Sequence, residues 1–418
     1  MQNTHSRYIL KFIESLALTR NKMAFISGPR QVGKTTLGKQ LIGQSDRGQY
    51  WNWDELEFRK LWVKSPSKSL FHSKTQSLAH LVVYDEIHKA KNWKRTLKGI
   101  FDTLETPMQI VVTGSARLNV YKKGGDSLMG RYLHFRLHPF SLGELTGHFA
   151  TDPAQAIYEI FDDQNSLLEN KNLSDATCES NFHRLLQFGG FPEPFFEADE
   201  EISRIWQRGR IEKIVREDLR DLSRLPELSQ IEMLIALLEE KVGGLFTLAS
   251  LREDLEVAHT TVQRWLNYLN QLYYCYEIKP YSKFLVRSLK KEGKLFLWNW
   301  VEVHNASNRF ENLIAGHLLK ACHFWTDIGK GNFSLQFLRD KEKNEIDFLI
   351  TLDKKPWLAV EAKLADTNWS PAFLAFRKRI QIPFSVQVTK NVCEKKIWKD
   401  RYGQCGIMSA CDFLKHLP

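Results

Sequence analysis

One ten-residue stretch near the start of the chain, SGPRQVGKTT, has the residue types and spacing of a phosphate-binding loop. Gly28 and Gly33 enclose four residues and are followed by Lys34 and Thr35, which matches the pattern G-x-x-x-x-G-K-[ST]. Glycines let successive backbone N–H groups point at phosphate oxygens, and the helix predicted after the loop adds its positive end. We therefore expect Lys34 to contact the β- and γ-phosphates of ATP and Thr35 to hold Mg²⁺. The predicted nucleotide-contacting residues are Gly28, Pro29, Arg30, Gln31, Val32, Gly33, Lys34, Thr35 and Thr36.

Polar residues at the ends of later apolar runs supply the second half of this predicted site. In LVVYDE, four apolar or aromatic residues precede Asp85 and Glu86. A carboxylate at such a strand end can hold Mg²⁺ and its neighbour can polarise the attacking water, so we assign Asp85 to the metal and Glu86 to water activation. Ser115, at the end of VVTGS, is a candidate sensor of the γ-phosphate. Arg131, in GRY, is a candidate arginine finger, and the alternative for this residue is a surface salt bridge.

A second set of carboxylates lies more than two hundred residues further on. Asp347 belongs to the predicted strand EIDFLI, and Glu361 and Lys363 belong to the next, VEAK, where alternation puts both side chains on one face. Together with Glu311 on the preceding predicted helix, this pattern resembles the PD-(D/E)xK nuclease signature, in which carboxylates hold Mg²⁺ and a lysine lies beside the water or the phosphate. The alternatives are an ordinary buried Glu–Lys face and a nuclease-like fold without activity.

Length and composition bound the kind of protein. A chain of 418 residues exceeds the roughly 250 to 300 residues that one core supports, so we expect two or three domains. A 43% hydrophobic and 12% aromatic composition is that of a soluble globular protein, and we expect the cytoplasm as its location, with no membrane contact. The six cysteines show no CxxC spacing, so no zinc site or disulfide framework is indicated.

The order of apolar runs predicts an α/β fold. MAFISG, QYWNWD, HLVVYDE and QIVVTGS are predicted strands of a parallel sheet, and TLGKQLI is the helix after the phosphate loop. We predict an N-terminal P-loop domain over residues 1–150, a linker and helical region over 151–227, a winged helix over 228–298, and a C-terminal α/β nuclease-like domain over 299–418. In the winged helix, the second helix begins at HTTVQRW. In the last domain, a turn containing Pro356 separates the strands that carry Asp347 and Glu361.

Basic residues are concentrated in two segments. The chain has a formal net charge of +10. Lys279 to Lys294 contains six basic residues and one acidic residue, and Arg377 to Arg401 contains eight basic and two acidic residues. Such concentration favours a polyanionic partner such as nucleic acid, bound through the winged helix and the C-terminal segment. The alternative is a solvated lysine-rich surface.

Several motifs resemble, in order, those of one family. ISGPRQVGKTTL, YDEIHKAKNW, VVTGSARL, GRYLHFRLHPFSLGEL and GGFPEPF occur with the wording of bacterial and archaeal predicted AAA+ ATPases, over about Arg20 to Lys363. Those proteins carry a C-terminal part built from a winged helix and a nuclease-like, restriction-endonuclease-type fold. The resemblance implies ATP binding and hydrolysis.

Two functions from different classes are compatible with these patterns. The first is a Mg²⁺-dependent ATPase whose C-terminal modules bind nucleic acid and cleave it. The second is a regulatory or scaffolding ATPase that binds a protein partner and whose nuclease-like residues are remnants. An oligomer is compatible with either function.

Overall fold

The computed structural model describes residues 5–71, 78–114, 128–162, 171–219, 228–282, 292–391 and 393–418. The chain divides by its internal packing into two units, Met1–His138 and Pro139–Pro418. The finer domain boundaries at residues 150, 227 and 298 stay predictions.

A five-stranded parallel sheet organises the first unit; four of its strands were predicted, and the fifth, Tyr132–Arg136, was not. Its strands are β1 (Met23–Ser27), β2 (Gly48–Asn52), β3 (Leu81–Asp85), β4 (Gln109–Gly114) and β5 (Tyr132–Arg136). The strand order is β2-β3-β4-β1-β5, and every neighbouring pair is parallel. All five residues of β1 and of β3 are buried, which explains their nearly continuous apolar sequences. In this order β4 lies between the strand before the phosphate loop and the strand that ends at Asp85.

Helical segments cover this sheet. The helices are Lys34–Gly43, Leu56–Lys64 and Trp93–Asp102, with short turns at Leu10–Phe12, Ile13–Ala17, Leu18–Arg20, Pro66–Leu70 and Ile87–Lys89. The main apolar core includes Phe25, Phe58, Tyr84, Leu97 and Val112, all fully buried.

The second unit begins with helices. Their bounds are Leu142–Thr146, Pro153–Ile160, Lys171–Phe188, Pro192–Glu197, Glu200–Lys213, Ile214–Asp218, Leu228–Glu240, Leu248–Leu255 and His259–Gln271. The second helix of the predicted winged helix begins at His259, as expected. The beginning of the predicted linker and helical region, 151–227, contains the helix Pro153–Ile160 and the first part of Lys171–Phe188.

A nine-stranded mixed sheet occupies the rest of the second unit. Its strands are β6 (Leu245–Phe246), β7 (Cys275–Pro280), β8 (Gly293–Leu297), β9 (Phe333–Arg339), β10 (Glu345–Leu352), β11 (Lys355–Lys363), β12 (Phe384–Thr389), β13 (Lys396–Asp400) and β14 (Gly403–Ser409). The order is β13-β14-β12-β11-β10-β9-β7-β8-β6. The β7–β9 pairing makes one sheet of the strands predicted for the winged helix and those predicted for the nuclease-like domain. The remaining helical segments are Trp300–Glu302, Ala306–Asp327, Pro371–Arg377 and Ala410–Leu414.

Buried polar contacts fix the long helix Ala306–Asp327 to the start of the second unit. The Lys320 ammonium pairs with the Glu144 carboxylate, and both side chains are buried. His317 Nε2 accepts the backbone N–H of Leu142 at 3.1 Å. Burial, together with the nearby Lys320 charge, lowers the pKa of His317 to about 4, so the ring stays neutral and can accept.

Two local expectations were wrong. Asp353 and Lys354, both with positive φ, form the turn between β10 and β11, and Pro356 lies inside β11 near its beginning. Lys294 and Arg377 do not contribute to basic surfaces: both are buried, and Arg377 pairs with Asp400 at 2.8 Å. Residues 283–291 of the first basic segment lie outside the described residues. Among the described residues, no helix has the length and apolar character needed to cross a membrane.

Candidate functional site

The loop after β1 has the backbone conformation that its glycines predict. Gln31 and Gly33 both have positive φ, of 61° and 97°, and the helix Lys34–Gly43 begins directly afterwards. At Gly28 a Cβ atom would lie 2.3 Å from the carbonyl oxygen of Leu137, so no larger residue fits there without a shift of the backbone. The loop therefore presents its backbone at the positive end of a ten-residue helix, as phosphate binding requires.

The Lys34 side chain lies within the loop. Its ammonium donates to the carbonyl oxygens of Gly28 at 3.0 Å and Pro29 at 2.6 Å, and the residue is buried. Phosphate oxygens are stronger acceptors for an ammonium than neutral carbonyls are. Lys34 is thus held at the loop by contacts that a bound nucleotide phosphate can replace.

Asp85 is the centre of the polar contacts at this end of the sheet. Its carboxylate is buried and accepts hydrogen bonds from three hydroxyls: Thr35 at 2.7 Å and Tyr50 at 2.5 Å on Oδ2, and Thr113 on Oδ1. Thr113 faces Asp85 directly in the β3–β4 register. Burial, followed by the contact with Asp85, raises the pKa of Tyr50 far above its usual range, so the phenol remains a donor.

These residues fit a magnesium ion. The Thr35 hydroxyl donates a hydrogen bond to Asp85, which leaves its oxygen lone pairs for a cation, and the carboxylate of Asp85 supplies negative charge beside it. Mg²⁺ takes oxygen ligands and binds proteins through one or two such groups together with substrate phosphates. Thr35 and Asp85 would hold the ion, which would neutralise charge on the phosphates.

Glu86 follows β3 in an unusual backbone conformation. Its φ of 57° is in the left-handed region, which is sparsely populated by residues other than glycine and is concentrated at functional sites. Its N–H donates to the carbonyl oxygen of Thr113 at 2.9 Å. Burial raises the pKa of Glu86, and the charges of Lys34 and Lys89 oppose this rise. The Glu86 carboxylate is therefore mostly buried, has a pKa above its usual value and lies near the charge of Lys34.

Ser115 and Arg131 are the other two residues predicted for the ATP site. Ser115 lies outside the described residues. Arg131 forms a bidentate pair with Asp102, with Nε–Oδ1 and Nη2–Oδ2 distances of 2.5 and 3.0 Å, and both side chains are partly exposed. Arg131 is therefore engaged in a surface salt bridge, which was the alternative considered for it.

Sequence reasoning missed Arg7, Tyr50 and Thr113. Arg7 is buried and donates to the carbonyl oxygen of Val32 in the phosphate loop at 2.6 Å and to that of His138 at 2.5 Å. It thereby connects the loop to the segment that follows β5. The motif VVTGS could have indicated Thr113, because it ends a strand beside the predicted site, whereas Arg7 has no local signal.

The predicted nuclease residues converge in the second unit around a lysine that was not predicted there. Lys294 on β8 is buried, and its ammonium lies 3.0 Å from Glu311 Oε1, 2.7 Å from Glu345 Oε1 and 3.2 Å from Asp347 Oδ1. Glu345 and Asp347 alternate along β10 and therefore share a face.

The remaining two predicted residues complete this group. The Lys363 ammonium lies 2.7 Å from Glu361 Oε1. Glu361 Oε2 accepts the backbone N–H of Asp347 at 3.3 Å, and Asp347 Oδ2 accepts that of Ala362 at 3.0 Å. We call Glu311, Glu345, Asp347 and Glu361 the carboxylate cluster.

Burial and mutual repulsion act on the cluster. Burial is the larger cause and repulsion by the charge of Asp347 is the second. Together they raise the pKa of Glu311 to about 8 and that of Glu361 to about 7. Burial lowers the pKa of Lys294, but the negative charges of Asp347, Glu311 and Glu345 outweigh burial and raise this pKa above its usual value. Within the described residues, no group of three or more histidine, cysteine or acidic side chains is arranged to hold a metal. The cluster does not fit a divalent ion while the ammonium of Lys294 lies among its oxygens.

Comparisons with known proteins agree with the geometry of the first unit. Residues 20–146 match a family described as an AAA domain. Residues 179–305 and 307–403 match two families described as domains of unknown function, DUF8612 and DUF4143. An uncharacterized protein of Methanocaldococcus jannaschii is 22% identical over 376 residues, covering 85% of this chain and 77% of that protein.

A second relative and one solved structure are similar to this chain over most of its length. An uncharacterized protein of Mycobacterium tuberculosis is 22% identical over 348 residues, which are 82% of this chain and 70% of the relative. The Walker-type ATPase paby2304 of Pyrococcus abyssi matches 74% of this chain and 96% of its own, with a TM-score of 0.42 and 13% identity.

The AAA match contains the phosphate loop and Asp85-Glu86, the residues that the sheet brings together. The chain is therefore a P-loop ATP hydrolase with an AAA domain and additional C-terminal domains.

Replacing Arg7 tests its positioning role at the phosphate loop. Arg7→Met removes two charged hydrogen bonds to backbone carbonyls, each worth about 1.5–3 kcal/mol. We expect the KM for ATP to rise about tenfold, as about 1.4 kcal/mol of lost positioning would give, with a smaller change in kcat. Steady-state ATPase kinetics measure both, and Arg20→Met, at an exposed arginine, is the matched control. A variant with a lower Tm but an unchanged KM would mean that Arg7 only stabilises the fold.

Proposed function

We propose that this protein is a Mg²⁺-dependent ATPase that binds nucleic acid through its C-terminal unit and couples that binding to ATP turnover. The ATPase part of this proposal is supported by the match of residues 20–146 to an AAA domain and by the hydrogen bonds of Asp85. In this proposal Lys34 contacts the β- and γ-phosphates, Thr35 and Asp85 hold Mg²⁺, and Glu86 activates water. ATP and ADP states differ in the γ-phosphate, and this difference supplies the switch.

The observation that supports nucleic-acid binding is the surface of the helix His259–Gln271. Its buried side contains Val262, Trp265 and Leu269. Its exposed side chains are all polar, and no acidic residue occurs in the helix. The exposed residues are His259, Thr260, Gln263, Arg264, Asn267 and Asn270.

These side chains have the chemistry of base and phosphate recognition. Glutamine and asparagine can pair with the edge of adenine, and arginine contacts guanine or phosphate. Gln263 and Asn267 are four residues apart and therefore neighbours on one helical face. A preceding helix, Leu248–Leu255, and a turn at Glu256 give the helix–turn–helix arrangement in which a second helix enters the major groove.

A second candidate function is phosphodiester hydrolysis at the carboxylate cluster. It is favoured by the contacts of Asp347 with Glu361 and of Glu361 with Lys363, which bring together three of the four predicted residues. The competing candidate is a regulatory ATPase that binds a protein partner and has no nuclease activity.

Two substitutions in the first unit separate ATP binding from hydrolysis. Lys34→Ala should abolish binding of ATP, because the loop loses the ammonium that contacts its phosphates. Glu86→Gln should retain ATP and slow hydrolysis by about 10²–10⁴-fold, since general-base catalysis contributes that much. Fluorescent-nucleotide binding and phosphate release measure the two steps. Wild-type turnover in Glu86→Gln would remove Glu86 from its assigned role.

Substitution of Arg264 tests the nucleic-acid interface. Arg264→Ala should weaken binding to duplex DNA by about tenfold at low salt and reduce the slope of log K against log[salt] by about 1, because one phosphate contact is lost. Fluorescence anisotropy at several salt concentrations measures both quantities. Arg208→Ala, at an exposed arginine of another helix, is the control and should change neither. Binding without salt dependence would favour the protein-partner alternative.

A cleavage assay tests the second candidate. Plasmid and single-stranded DNA are incubated with Mg²⁺ or Mn²⁺, with and without ATP, using wild type, Asp347→Ala and Lys34→Ala. We expect cleavage only with ATP, lost in Asp347→Ala through the cluster and in Lys34→Ala through the nucleotide. Intact DNA under conditions where ATP is hydrolysed would support the regulatory ATPase.

A further inference from the structure

The carboxylate cluster already contains a cation. The ammonium of Lys294 has three N–H donors and three carboxylates around it, one each from Glu311, Glu345 and Asp347. Only 2% of the Lys294 side chain is exposed, and its ammonium also lies 5.8 Å from the centre of the Phe337 ring. Lys294 is thus fully satisfied where it lies.

The elements that hold this arrangement come from separate parts of the sequence. Lys294 is on β8, Glu311 on the helix Ala306–Asp327, and Glu345 and Asp347 on β10. Strand β8 pairs with β7, which pairs with β9, which pairs with β10. The lysine therefore reaches the cluster across the sheet, and its position depends on the pairing of the strands predicted for the winged helix with those predicted for the nuclease-like domain.

Three cations contact the carboxylate cluster, and they differ in their position and in the charge that would remain without them. With all four carboxylates ionised, the three cations Lys294, Lys363 and Arg339, each of which contacts at least one of them, leave one negative charge. If the ammonium of Lys294 moved away, two negative charges would remain, which one divalent ion neutralises. Lys363 is 36% exposed and its ammonium pairs with Glu361, so it lies to one side of the space between Glu311 and Asp347 that Lys294 occupies.

We propose that Lys294 is a built-in competitor of a divalent metal: its ammonium occupies the cation position between Glu311, Glu345 and Asp347, and a metal binds there only when the lysine is displaced. This inference uses the cluster of the second candidate function, but it concerns metal binding and does not require cleavage. It also explains why carboxylates with a nuclease-like pattern do not fit a metal in the arrangement described.

Titration of the full-length, nucleotide-free protein with Mn²⁺, followed by electron paramagnetic resonance of the free ion, tests the proposal. Wild type and Asp347→Asn should bind Mn²⁺ equally weakly, since the ammonium excludes the ion. Lys294→Met should gain one site per chain at least tenfold tighter, and Lys294→Met/Asp347→Asn should lose it. Lys279→Met, at the partly exposed lysine of β7, is the matched control and should gain none.

A second readout is thermal. Mn²⁺ should raise the Tm of Lys294→Met by several degrees and leave that of wild type unchanged, because a ligand stabilises only a state that binds it. Tight Asp347-dependent Mn²⁺ binding by wild type, or its absence in a folded Lys294→Met protein, would overturn the proposal. If Lys294→Met does not fold, Lys294→Gln, which also removes the ammonium, replaces it in the same titration. A Lys294→Met protein that binds Mn²⁺ without cutting DNA would leave this inference standing and exclude hydrolysis.

Discussion

The arrangement of the nucleotide site depends on a single buried carboxylate. Asp85 at the end of β3 accepts hydrogen bonds from the hydroxyls of Thr35 after the phosphate loop, Tyr50 on β2 and Thr113 on β4. A buried charge is costly unless hydrogen bonds satisfy it, so these donors are needed for the fold as well as for the chemistry. The same contacts hold the first turn of the loop helix against the neighbouring strand ends. The site is therefore organised by the sheet before a nucleotide binds.

The sequence predicted the parts of this site that are encoded locally. Glycine spacing predicts the loop, and an acidic pair after an apolar strand picks out Asp85 and Glu86 as candidates, so short-range patterns were enough to place these residues at one end of the sheet. Tyr50, Thr113 and Arg7 were missed because their roles depend on strand register and on contacts between distant residues. The Arg7–Val32 hydrogen bond joins residues 25 positions apart, and Arg7 to His138 spans 131. No periodicity or motif in the sequence predicts contacts between residues so far apart.

Lys294 illustrates the same limit in the second unit. Strand alternation correctly put Glu361 and Lys363 on one face, and the helix carrying Glu311 was predicted. Counting charges along the chain assigned Lys294 to a basic surface, because a segment's net charge contains no information about burial. Its partners Glu311 and Asp347 are 17 and 53 residues away; the helix Ala306–Asp327 brings Glu311 to β8, and the pairing of β7 with β9 brings Asp347 into the same sheet.

The two sets of carboxylates differ in what neutralises them, and this difference decides how each can use a metal. The partners of Asp85 are hydroxyls, which donate hydrogen bonds without contributing positive charge, so its charge remains available to an ion that arrives with the nucleotide. Asp347 instead faces a fixed ammonium, so a metal must compete with a covalently attached cation at very high effective concentration. Under the proposal above, metal binding at Asp85 is coupled to ATP, whereas metal binding at Asp347 is coupled to movement of β8. A shift of that strand would be enough to change the charge of the cluster by one unit, because it would carry the ammonium of Lys294 away from Glu311, Glu345 and Asp347.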